Sequence, residues 1–143
     1  MATEIERQCE TIESCYEFML SYAARGLASD DGSDAGRQLR DHLTRAAGAM
    51  RGLARSCADA LEQEQLAPAE KYEAFFEVLK RDAEGAIAAV EMVLAQAAIG
   101  SQLIDNLNAS IHLRALLADL FLVTEILDAR RTHAATGGVV GAR

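Results

Sequence analysis

With 143 residues, half of them hydrophobic, the chain is long enough for one domain with a real core and too apolar for global disorder. A formal net charge of −8 repels phosphate backbones and anionic lipid, which argues against general nucleic-acid binding and against membrane association. One proline and no tryptophan, amid abundant Ala, Leu, Glu and Arg, make a helix former's composition, because these side chains lose little rotamer freedom on a helix.

The opening residues, Met1 to Glu10, carry neither the basic nor the apolar region of a signal peptide. The most apolar stretch, Leu103 to Leu127, contains Asp105, His112, Arg114, Asp119 and Glu125, which weighs against a membrane helix. Cys9, Cys15 and Cys57 form no CxxC pair and read as buried free thiols of a reducing compartment. A cytoplasmic location is expected.

Thr3 followed by Glu6 is a capping-box pattern. Ile5, Cys9, Ile12, Tyr16, Met19 and Ala23 then recur at spacings of three and four, placing them on one face of a first helix. Gly26 and the polar run from Ser29 to Asp34 end it. A second helix is expected from about Asp34 to Gln65, with the stripe Leu39, Leu43, Ala46, Met50, Leu53, Cys57 and Leu61. The first helix is acidic and the second rich in arginine. Folding the chain back on itself at Asp30–Asp31 brings Glu17 level with Arg40, Glu13 with Arg45, Glu10 with Arg51 and Glu6 with Arg55, a pattern that selects partner and register.

Pro68 starts a third helix, since proline is tolerated in the first turn. Its apolar stripe runs from Tyr72, Phe75 and Phe76 through Leu79, Ala83, Ala86, Val90 and Val93 to Ala97, with Glu77, Glu84 and Glu91 on the solvent side. Gly100-Ser101 breaks the chain into a fourth helix ending near Arg131. This segment is apolar round most of its circumference. Ile104, Leu107, Ile111, Ala115, Ala118 and Leu122 suffice for an internal core, so Leu113, Leu116, Leu117, Leu120 and Leu127 are left over as a partner surface. Residues 132–143 are glycine-rich and aperiodic, and read as a flexible tail.

The fold expected is therefore all-α: an antiparallel four-helix bundle over residues 1–131, extended by oligomerisation through the fourth helix.

Chemistry is sparse. No Glu-x-x-His occurs, so the di-iron pattern of ferritin-like bundles is missing. Asp105, His112 and Asp119 share an arc of the fourth helix with Asn108 and form a weak alternative metal site. No nucleophile–base arrangement and no phosphate-binding glycine loop is legible, and no cofactor is expected.

One window stands out: His42, Arg45 three residues on, the small run Ala46-Ala47-Gly48-Ala49, and Gly52 ten residues after the histidine. It loosely resembles the histidine phosphotransfer domain, a helical bundle that relays a phosphoryl group between signalling proteins. The resemblance implies phosphoryl acceptance on His42, with Arg45 balancing charge and the small residues letting a partner domain approach. Thr44, Ala46 and Arg51 stand where that family has leucine, glycine and an apolar residue. Val139-Val140-Gly141, after a glycine pair, resembles the targeting tails of encapsulin cargo, without their usual leucine.

Taken together, the residues lead to the expectation of a non-enzymatic interaction protein that self-associates as a homodimer or docks a protein partner. Phosphotransfer through His42 is the first alternative, and a metal or small-ligand bundle the second.

Overall fold

The computed structural model describes residues 3–141, with side chains described as far as residue 134. Its described residues form helices α1 (Glu4–Ala24), α2 (Asp34–Gln63), α3 (Ala69–Leu94), α4 (Ser101–Ala109) and α5 (His112–Gly141), without strands. Among them no helix is long and apolar enough to cross a membrane.

The helix starts follow local chemistry. The Thr3 hydroxyl accepts from the Glu6 amide at 3.2 Å, and the Ser33 hydroxyl from the Gly36 amide at 3.0 Å, each satisfying an otherwise orphaned N–H. Pro68 precedes α3 in an extended conformation. Gly26 and Gly32 take positive φ in the turn between α1 and α2, where a Cβ would strain the chain.

The stripes of α1, α2 and α3 are buried largely as their periodicity demands. Leu39, Leu43, Ala46, Met50, Leu53 and Cys57 of α2 are all buried. Helix α1 packs on α2, α2 on α3, α3 on α5 and α5 back on α1, while α4 lies mainly on α1. One core fills the space between them. In the first hairpin the added Cβ of Gly52 would come within 2.6 Å of the Gln8 amide, and the Phe18 and His42 rings stack at 4.6 Å. Ten residues up α1 thus match ten residues down α2.

Polar staples close the two ends. At one, buried Asp30 accepts from Arg40 and from the Ile99 amide, while Arg40 also donates to the carbonyls of Leu94 and Gln96. At the other, Arg131 of α5 donates to Glu6 of α1 at 2.6 Å and to both carboxylate oxygens of Glu64 after α2, a bidentate geometry that fixes direction as well as distance.

One expectation changes. The segment after Gly100 is not one helix: α4 stops at Ala109, Ile111 takes a positive φ of 67°, and α5 begins afresh. The helix then runs on past Arg131, so the backbone of residues 132–141 continues α5. The Val139-Val140-Gly141 side chains, and residues 142–143, lie outside the described ones.

Candidate functional site

The turn at Ser110–Ile111 decides which face of α5 is outside. The Ser110 amide donates back to the Asn106 and Leu107 carbonyls, and the Ile111 carbonyl accepts the first bond of α5 from Ala115 at 2.8 Å. Residues added at a break rotate everything that follows, so a heptad carried straight through Ile111 lands on the wrong side. Leu113, Leu116, Leu117, Leu120 and Leu127, expected as the partner surface, are instead buried in the chain's own core, none above 5 % exposed. Leu122, expected inside, is 51 % exposed, and Phe121 and Ile126 stand out beside it. The surplus of apolar side chains on α5 is real, but it is carried by these three residues, with Ala118 also exposed.

Two grooves flank this ridge. Between α3 and α5, Pro68, Lys71, Tyr72, Phe75, Phe76, Leu122, Val123 and Ile126 line about 370 Å³ of open, apolar space. Arg130 lies over the Tyr72 ring at 5.9 Å. Between α1 and α5, a second groove of about 360 Å³ is lined by Glu13, Tyr16, Glu17, Leu20, Arg114, Leu117, Ala118 and Phe121. The aromatic trio that opens the apolar stripe of α3 is only half-buried. Their crowding into the first turns of α3 was the signal: they are three of the chain's seven Phe and Tyr residues.

His42 sits at a separate place, in a polar groove of about 400 Å³ between α1 and α2 with Arg7, Glu10, Thr11, Ser14 and Arg45. Burial, then the Arg45 guanidinium, hold its imidazole below the ordinary value, with Asp41 partly opposing. Phe18 covers one face of it, with 24° between the rings. Arg45 is bound to Asp41 at 2.6 Å. Ala46 and Ala47 face the core, and Gly52 makes room for Gln8. Helix packing thus accounts for most of the small residues in that window.

Asp105, His112 and Asp119 do not converge. The break puts Asp105 on α4, exposed beside Gly26 and Ser101, and His112 on α5 against Gly85 of α3. Asp119 pairs with Asp82 of α3, which carries no sequence signal of its own; burial, then the Asp82 hydrogen bond and charge, push it up to about 7. Among the described residues no three His, Cys, Asp or Glu are grouped to hold a metal, so the weak metal alternative loses its ligand set. The three thiols are buried and unbridged, and burial raises them to about 11 for Cys9 and about 12 for Cys15 and Cys57. At neutral pH they are protonated and unreactive.

No family model, curated protein or solved structure matches the chain.

Proposed function

We propose that the chain is a non-enzymatic interaction protein: an antiparallel helical bundle that self-associates as a homodimer through the outward face of α5 and the adjoining aromatics of α3. One observation carries this reading. Phe121, Leu122 and Ile126 are large, apolar and exposed on consecutive turns of one helix, beside an apolar groove. Single exposed hydrophobes are ordinary, but a contiguous set beside a groove marks a contact surface. A dimer with a micromolar dissociation constant needs about 8 kcal/mol, within the range of interfaces that bury about 1,200–2,000 Å² in total. The unbridged, protonated thiols support the cytoplasmic placement.

Sedimentation velocity at micromolar concentration tests the reading. Twice the chain's 15.4 kDa is expected, falling to the single-chain mass in Leu122→Glu with helicity unchanged. A parent that sediments as a single chain overturns self-association, and docking of a different protein on the same face then takes its place.

A second reading has one observation in its favour: the His42 imidazole lies in a polar groove next to Arg45, where burial holds it below its ordinary value. Phosphotransfer would be detected as an acid-labile, base-stable label after incubation with a phosphorylated receiver domain, lost in His42→Gln. Equal labelling of parent and variant removes it.

A further inference from the structure

Resting on the α5 dimer proposed above, the charges of the same helix face decide how two copies meet. Arg114 and Asp128 stand seven residues before and after Phe121, two helical turns either way and hence on the same side. Glu125 lies between Phe121 and Asp128, and all three charged residues are exposed. The two later cations are engaged within the chain, Arg130 over Tyr72 and Arg131 with Glu6 and Glu64. On α5 itself the exposed ridge therefore carries a positive charge before its apolar centre and two negative charges after it, with Glu13 and Glu17 of α1 lining the groove beside Arg114.

A two-fold dimer brings the same patch of both copies together, with either parallel or antiparallel α5 helices. Parallel helices would set Arg114 on Arg114, Glu125 on Glu125 and Asp128 on Asp128, all repulsive. Antiparallel helices crossing at Phe121–Leu122 set Arg114 of each copy within a turn of the other's Glu125 and Asp128, while Ala118 comes level with Glu125. Ala118 is small enough for close approach of the two backbones. We infer that the partner is a second copy of this chain, with its α5 antiparallel and its two-fold axis passing at Phe121–Leu122. Charge sets direction here and apolar contact supplies affinity.

Cysteine cross-linking tests the direction. The native thiols are buried and do not compete. A mixture of Ala118→Cys and Glu125→Cys chains should oxidise to a covalent heterodimer, while each variant alone should not. In the antiparallel pair the two 118 positions are about 10 Å apart along the axis, beyond a disulfide's reach. Arg114→Glu should weaken the dimer about tenfold, the effect of about 1.4 kcal/mol, and adding Glu125→Arg and Asp128→Arg should restore it. A covalent homodimer of Ala118→Cys alone, or a charge swap without rescue, overturns the antiparallel arrangement while leaving self-association standing. A single-chain mass for the parent overturns both.

Discussion

The Tyr22 hydroxyl donates to the Ile99 carbonyl across 2.7 Å, joining residues 77 apart in sequence. On the same residue, the Ile99 amide donates to Asp30 at 2.7 Å. Nearby, the Ser101 hydroxyl donates to the Tyr22 carbonyl and accepts from the Leu27 amide. Two loops that would each leave polar backbone buried thereby satisfy one another.

Tyr22→Phe keeps the ring in its fully buried place and removes only the hydroxyl. The Ile99 carbonyl is left without that donor, a loss of about 1–3 kcal/mol. Urea unfolding should show a lower midpoint with an unchanged slope. An unaltered midpoint would mean that water replaces the hydroxyl without cost, and that the staple contributes nothing net.

Glycines separate packing from propensity. A Cβ on Gly36 would collide with the Asp30 backbone carbonyl, and one on Gly100 would lie 2.7 Å from the Ala28 carbonyl oxygen. Gly36→Ala and Gly100→Ala should each destabilise by about 1–3 kcal/mol. Gly48, also within α2, has nothing within 4 Å of an added Cβ, so Gly48→Ala should stabilise by about 0.5–1 kcal/mol through helix propensity. Thermal melts of the three variants should therefore move in opposite directions.

Asp30 makes the acid limb of stability. Its hydrogen bond from Arg40 holds its carboxyl below the ordinary value of 3.8, against the opposing effect of burial. A depressed carboxyl contributes stability that is complete above its unfolded pKa and is lost as pH falls through its folded one. Asp30→Asn should lower the melting temperature at pH 7 and flatten the fall below pH 4. Melting curves of parent and variant that stay parallel from pH 7 down to pH 3 would sink this assignment.

How much of this was legible in the sequence depends on whether the signal was local. The Thr3 cap, the Pro68 start and most of the stripes of α1 to α3 rest on neighbours within a turn or two and hold in the structure, apart from the half-buried aromatics that open α3 and the exposed Ala97 beyond its end. The register expected for the first hairpin agrees with the Gln8–Gly52 and Phe18–His42 contacts, although the charges that suggested it pair elsewhere. Arg40 goes to Asp30, Arg45 to Asp41 and Arg51 to Glu91 of α3. An exposed arginine on α2 borders both neighbouring helices, and a long side chain settles on whichever acceptor is held in place. The break at Ile111 had no local signal at all. A branched residue is among the poorest for positive φ, no glycine or proline stands there, and the heptad runs on in phase. That one turn buried the five leucines, left Phe121, Leu122 and Ile126 exposed, and separated Asp105 from His112.

The Asp82–Asp119 contact gives α5 an opposite pH response. Burial comes first, and the hydrogen bond and charge of Asp82 add to it, raising Asp119 from 3.8 to about 7. An acid raised on folding favours the protonated native state, so its contribution is complete below the unfolded value near 4 and is lost as pH rises through about 7. Asp119→Asn imitates the protonated carboxyl at every pH. It should leave the melting temperature unchanged near pH 4 and raise it by roughly 3 °C at pH 8, the scale of about 1 kcal/mol in a chain this long. Asp82→Asn should recover only part of that gain, because burial, the larger cause, remains. Equal recovery by both variants would show that the neighbouring charge, rather than burial, raises Asp119.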